Sequence, residues 1–295
     1  MSAPLLMLAA SFLFATMGVC VKLASAYYAA GEIVFYRALM GALMMGFLAR
    51  SRGISLRTAV PGMHFWRSLS GVTALSLWFY SIGGLPLPTA MTLNYMSSVW
   101  MALFLIGGAV LLGAARIDAR LVAAVLLGFA GVALVLRPTV AQNQTWAGLA
   151  GLLSGLLSAL AYLQITALGR AGEPEPRIVF YFSCGGMVAG ALTMLATGMH
   201  THTLHGLVLL VAVGVLVTVA QLMMTRAYGI GRPLVNASLQ YLGIAFSFGY
   251  GVLLFDDPLQ WIAVGGIVLI VAAGLMATRL SAEKAPALSH STLEP

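Results

Sequence analysis

Leu93-Asn94-Tyr95 and Leu239-Gln240-Tyr241 echo one another about half a chain length apart in a chain of 295 residues. Each string sets a leucine, a side-chain amide and a tyrosine inside a long apolar stretch. Each stretch is the fourth of its half. A three-residue likeness gains weight only if the flanking sequence divides in the same way.

The composition fixes the solvent. The chain is 61% hydrophobic and 8% charged, with a mean hydropathy of +0.98. Soluble domains carry roughly 25% charged residues, so this chain cannot cover a water-facing surface. Ten apolar stretches lie near residues 3–24, 32–49, 66–84, 88–113, 119–137, 147–169, 177–198, 205–229, 233–255 and 258–279. As helices, most match the ~30 Å hydrocarbon core of a bilayer. The 33 glycines suit close helix packing in lipid. Met1 to Pro4 lacks a basic region, so the first stretch reads as a retained helix rather than a cleaved signal. Cys20 and Cys184 fall inside apolar stretches and read as small buried hydrophobes, not a disulfide or metal pair.

Charge placement orients the spans. With ten spans, one side holds Arg50, Arg52, Arg57, Arg67, Arg116, Arg120, Arg170, Arg177, Arg226, Arg232, Arg279 and Lys284 in its loops. The other side has only Lys22, Arg37 and Arg137 near its edges. The positive-inside rule puts both termini in the cytoplasm of a multi-pass inner-membrane protein. The net charge of +7 is therefore a topology signal rather than a nucleic-acid surface. Ten spans divide into five and five about the polar interval Pro138–Thr145. Five is odd, so the two units enter the membrane in opposite senses and form an inverted repeat. The expected fold is all-α: residues 1–138 as the first five-helix repeat, 139–146 as a loop, 147–280 as the second repeat and 281–295 as a disordered cytoplasmic tail. Gly128-Phe-Ala-Gly131 in span five is matched by Gly265-Gly266 and Gly274 in span ten. Polar hairpins follow spans four and nine, at Arg116-Ile-Asp118 and Asp256-Asp257.

Further residues carry a resemblance. They are Lys22-Leu23 closing span one, Tyr36-Arg37 in span two, Gly128 to Pro138 ending the first half, and Phe255-Asp256-Asp257 after span nine. In their order the chain resembles the drug/metabolite transporter superfamily, in particular its ten-span EamA-type members, over nearly all of residues 3–280. It departs at Leu112-Gly113-Ala114-Ala115, where the family often has a glutamate, and this weakens any role for a symmetric pair of acids. Within the superfamily it looks most like the YddG-type exporters. That likeness implies export of aromatic and other neutral amino acids.

Polar residues inside the spans fall into helical stripes. Span nine carries Asn236, Gln240, Gly243, Ser247 and Gly251; span eight carries Thr218, Gln221, Thr225 and Tyr228. Span six has Ser154, Ser158 and Tyr162, span four Asn94, Tyr95 and Ser98, and span three Thr73, Trp78 and Tyr80. Lipid-facing polar groups cost several kcal/mol each, so these faces turn inward. They line either a wet midplane cavity or helix interfaces, where such bonds contribute about 0.6–2 kcal/mol each. Five stripes in one bundle favour the cavity. Trp78, Tyr80, Asn94, Tyr95, Ser98, Trp100, Tyr162, Gln221, Thr225, Tyr228, Asn236, Gln240 and Tyr241 are its candidate substrate-binding residues. Flat amphipathic walls of this kind suit an apolar or aromatic body with a few polar handles. The longer stripe of span nine gives the second half the larger share of contacts. Trp66, Trp146 and Trp261, near span ends, read as interfacial belt residues.

The charged residues leave alternatives open. Lys22, Glu32 and Arg37 meet near the outer ends of spans one and two, where Arg37 either pairs with Glu32, snorkels, or serves function. Arg226 either anchors topology or meets a substrate carboxylate. His200, His202 and His205 crowd one loop with spacing too irregular for a metal set. No acid lies centrally in a span, which points to alternating access without an obligatory ion. No cofactor, metal, nucleic acid or obligate protein partner is expected; the partners are the bilayer and a small amino-acid-like solute. A nucleotide sugar, a quaternary amine or proton coupling are the rival readings within the carrier class. An intramembrane enzyme would need a nucleophile–base pair or metal cluster at depth, and none is offered. A channel fits the expected repeat less well.

Overall fold

The computed structural model describes residues 1–85, 87–111, 118–137, 144–255 and 259–282. Among them are twelve α-helices and no strand: α1 (Ala3–Ala24), α2 (Ala30–Ser51), α3 (Pro61–Gly84), α4 (Leu87–Tyr95), α5 (Ser97–Leu111), α6 (Ala119–Leu136), α7 (Thr145–Arg170), α8 (Glu175–Thr197), α9 (Leu204–Ile230), α10 (Pro233–Gln240), α11 (Leu242–Leu254) and α12 (Trp261–Ala282). Nine spans among the described residues are long and apolar enough to cross a membrane, counting α4 with α5 and α10 with α11 as one each. The tenth expected span is α3, which is 24 residues long but more polar, with His64, Arg67 and serines along it. The chain is a multi-pass helical membrane protein. Asp256-Asp257, Leu112 to Ala115, Arg116, most of the 139–146 loop and the tail beyond 282 lie outside the described residues.

Local chemistry sets the helix ends. Proline occupies the first or second position of α1, α3, α8 and α10, where its missing N–H costs nothing. The Asp118 carboxylate accepts from Arg120 N at 3.1 Å to start α6, and Thr203 Oγ1 accepts from Gly206 N at 3.1 Å to start α9. Gly198 stops α8 with a φ of 82°.

Two spans expected to be continuous are broken. Span four turns at Met96, between α4 and α5, and span nine turns at Tyr241, between α10 and α11. The two echoing strings sit at these breaks: Tyr95 ends α4 and Gln240 ends α10. A break at membrane depth frees backbone carbonyls, which need new donors. Ser98 Oγ donates to Ala237 O at 3.1 Å and Ser11 Oγ donates to Leu239 O at 3.3 Å. A second correction concerns α3, which begins at Pro61 rather than near residue 66. Arg67, assigned by charge to a loop edge, lies inside that helix at 3% exposure.

The helices pair across the chain: α2 packs on α8, α3 on α7, α1 on α9 and α6 on α12. Small residues allow the approach. A Cβ on Gly131 would stand 2.5 Å from Gly266 O, and one on Gly266 would stand 2.6 Å from Gly131 O. Along α2 and α8, Gly41 faces Ser183, Gly186 faces Ala38 and Gly190 faces the Phe35 backbone, so these helices run antiparallel.

Candidate functional site

The polar and aromatic candidates converge where the broken spans meet α7 and α9. The Tyr162 ring of α7 and the Tyr228 ring of α9 stack at 5.2 Å between centroids and 7° between planes. Gln240 ties the stack together. Its Oε1 accepts from Tyr228 Oη at 3.2 Å and its Nε2 donates to Tyr162 Oη at 3.1 Å. The echoing tyrosines also meet, with the Tyr95 and Tyr241 rings 6.1 Å apart. Asn94 Nδ2 donates to Ser154 Oγ at 3.1 Å, joining α4 to α7. Trp100 packs against the buried cluster that contains Tyr228, and its Nε1–H is buried without an acceptor among the described residues.

Other candidates stand apart. Tyr80 is 61% exposed on the outside of the bundle, and Trp78 is half-buried. Asn236 Nδ2 donates to Ala227 O at 2.6 Å and fastens α10 to the end of α9. Ser98 serves the backbone of α10, as above. These two do the interface work that polar side chains perform in lipid. Thr225 is buried in α9. Gln221 lies elsewhere, in a small cavity with Arg37, Phe182, Ser183 and Thr218 at the crossing of α2, α8 and α9.

Lys22, Glu32 and Arg37 do not form a cluster. The Lys22 ammonium lies 3.6 Å from the centroid of the Phe255 ring, an arrangement that satisfies the cation without an acid. Glu32 turns to His200, accepting from its backbone N at 2.8 Å and lying 2.7 Å from its Nδ1. It also accepts from Ala29 N at 2.9 Å and so caps its own helix. Arg37 is left in the cavity. Arg226 reaches Glu175 at 3.9 Å, an exposed pair of little energetic weight.

A second carboxylate–histidine pair closes the other end of the bundle. Glu173, in the turn between α7 and α8, lies 2.9 Å from His64 Nε2 and accepts from Arg177 Nη1 at 2.9 Å and Thr58 Oγ1 at 2.8 Å. Burial pushes the Glu173 carboxylate up, but the hydrogen bonds from His64, Arg177 and Thr58 outweigh it and hold the group below its ordinary value. Glu32 and the loop that follows Ser51 stand at opposite ends of α2, about 30 Å apart at 1.5 Å per residue. Charge counting does not find these clasps. A repeated tetrapeptide marks their neighbourhood: Ile33-Val34-Phe35-Tyr36 on α2 and Ile178-Val179-Phe180-Tyr181 on α8. Tyr36 Oη lies 2.7 Å from His202 Nε2, and the Tyr181 ring packs 4.6 Å from the His64 ring. Directly after the repeat come Arg37 and Phe182, which line the same cavity. Among the described residues, no three His, Cys, Asp or Glu side chains gather to hold a metal.

Comparison with known proteins agrees with this architecture. Residues 1–137 match the EamA-like transporter family. Over 94% of its length the chain is 33% identical to the pseudopaline exporter CntI of Pseudomonas aeruginosa, covering 96% of that protein. The chain belongs to the EamA-like transporter family. This EamA-like transporter is also 24% identical to an uncharacterized transporter of Helicobacter pylori, with 92% of each chain covered. It is 27% identical to a riboflavin transporter of Rhizobium johnstonii, over 82% of this chain and 78% of that one. A crystal structure 18% identical in sequence superposes with a TM-score of 0.81, covering 95% of this chain and 98% of that one, and shares its fold. The EamA-like chain is thus a transporter, not an enzyme, and the relatives named here do not single out the YddG type.

Proposed function

We propose that this transporter exports small amphipathic metabolites, aromatic and other neutral amino acids among them, across the bacterial inner membrane by alternating access. The observation that carries the proposal is the convergence of Gln240 with the stacked Tyr162 and Tyr228 beside the break at Tyr241. Aromatic faces with one bridging amide suit a solute with a flat apolar body and a few polar handles.

The helix pairing supports an inverted repeat, with both termini cytoplasmic by the charge count. Exchanging the first five spans with the second five turns α1 on α9 into α7 on α3, and leaves α2 on α8 and α6 on α12 unchanged. The carboxylate–histidine pairs follow the same exchange. Glu32, near the start of α2, meets His200, before α9; Glu173, before α8, meets His64, near the start of α3. They serve as the two end gates of the cycle. The described acids, Glu32, Asp118, Glu173 and Glu175, all lie at span ends, in keeping with transport down the substrate gradient without an obligatory ion.

The relative that exports pseudopaline supports a second reading, in which the natural cargo is a larger metabolite. Arg37 in the cavity disfavours a quaternary amine. Counterflow in proteoliposomes tests these readings with amino acids, nucleotide sugars and quaternary amines, each with and without ion gradients. Amino-acid flux that slows in Gln240→Ala and persists without gradients is expected. Flux that vanishes without a gradient would sink the uncoupled reading, and no flux of any amino acid would sink the substrate class.

A further inference from the structure

Arg37 is a cation at depth without a counter-ion among the described residues. It stands seven residues into α2 and lines the small cavity at the α2–α8–α9 crossing. Among the described residues no carboxylate lies within ion-pair distance of it, because Glu32 is engaged by His200. A charge at this depth costs several kcal/mol unless paired or solvated in a cavity. The groups around it do not neutralise it. Ser183 offers a hydroxyl, Gln221 an amide and Phe182 a ring, while the Thr218 hydroxyl donates to Gly214 O at 2.6 Å. On that ring lies a second guanidinium: Arg67 Cζ is 4.2 Å from the Phe182 centroid, and Arg67 Nε and Nη1 are buried with no acceptor among the described residues. Arg67 lies on the Phe182 ring and Arg37 lines the cavity beside it, and among the described residues neither meets an acid.

From this we infer that the cavity is an anion subsite, in which Arg37 takes the carboxylate of the transported solute, Ser183 and Gln221 supply the remaining hydrogen bonds, and Phe182 packs on its body. A guanidinium presents a fixed fork of donors that matches a carboxylate. The position is also where the repeat becomes asymmetric. After the shared Ile-Val-Phe-Tyr, one half supplies Arg37 and the other Phe182, so one charge and one ring line the cavity at the α2–α8 seam. The subsite is filled or empty at different points of the cycle, which explains why no resident acid occupies it. This inference rests on the amino-acid export reading and assigns the group that reading left without a partner.

The test uses Gln221→Cys in the full chain with Cys20 and Cys184 replaced by alanine, reconstituted in liposomes. The probes are two thiol reagents, sulfonatoethyl and trimethylammonioethyl methanethiosulfonate, with L-phenylalanine and L-phenylalaninamide as protectants. The sulfonate should react faster, by roughly tenfold or more for one full charge nearby. Arg37→Gln should abolish most of that preference, and Arg37→Lys, which keeps the charge, should retain it. Phenylalanine should slow labelling more than its amide. If phenylalanine neither crosses the membrane nor protects, while the sulfonate preference still depends on Arg37, the anion subsite stands and the amino-acid reading falls. Equal reagent rates, a preference that survives Arg37→Gln, failure of both reagents to react, or equal protection by acid and amide would overturn the inference.

Discussion

His64 Nε2 lies 2.9 Å from Glu173 Oε2, although the two residues are 109 positions apart and both are buried. Around that contact, Arg177 binds Glu173 and also donates from Nε to Ser55 O at 2.8 Å, while Tyr181 Oη donates to Leu56 O at 3.0 Å. The loop between α2 and α3 is thereby tied to the turn between α7 and α8.

This clasp should make stability depend on acid. The Glu173 carboxylate is held below its ordinary value of 4.5. A lowered carboxylate contributes stability that is fully present above the unfolded value and lost as pH falls through the folded one. Melting temperature should therefore be flat from neutral pH to about 5 and fall below it. Glu173→Gln should melt lower at neutral pH, by up to a few kcal/mol for the charged hydrogen bonds removed, with less further loss in acid. Differential scanning fluorimetry at stepped pH reads both.

The clasp at the opposite end should act in the opposite sense. Glu32→Gln removes the negative charge and one of the two oxygens that hold His200, so Gln221→Cys in that background should label severalfold faster from the periplasmic face of spheroplasts. Glu173→Gln should favour labelling in inverted vesicles instead. Equal gains from both faces would mean that neither pair is a gate.

Gln240→Ala removes the bridge across Tyr162 and Tyr228. Each lost hydrogen bond is worth about 1 kcal/mol, so folding should survive. Counterflow should drop about tenfold, with a smaller drop in Tyr228→Phe, which loses one hydroxyl donor to Gln240.

Gly131→Leu should fail to yield folded protein. Its side chain would enter the seam where Gly131 already meets the Gly266 carbonyl. Gly148, with open space around it, is the control: Gly148→Ala should purify as a single species by size-exclusion chromatography.

Much of this architecture is legible in the chain because lipid makes length and polarity decisive. Apolar stretches near 20 residues mark the spans, and Gly128-Phe-Ala-Gly131 with Gly265-Gly266 marks the seam of α6 and α12. The convergence of Tyr162, Tyr228 and Gln240 follows from helical stripes that must turn away from lipid. What stayed hidden depends on distant partners. His64 and Arg67 look like loop residues until Glu173 and the Phe182 ring come to meet them. The breaks at Met96 and Tyr241 carry no proline or glycine at the turn, so no local signal announces them. Asn236 and Ser98 have the right chemistry for a cavity, yet nearby backbone carbonyls claim them.

The breaks in spans four and nine have a consequence for ancestry. Ser11 and Ser98, from the first half, supply donors to the Leu239 and Ala237 carbonyls of the second, while Ser154 of the second half receives the Asn94 amide of the first. Each half mends what the other leaves bare. The second five spans alone would leave the Leu239 and Ala237 carbonyls without these serine donors, at several kcal/mol apiece. On the inverted repeat proposed above, a single-unit forebear of this chain would have needed a second copy, inserted upside down, before either could persist in a membrane.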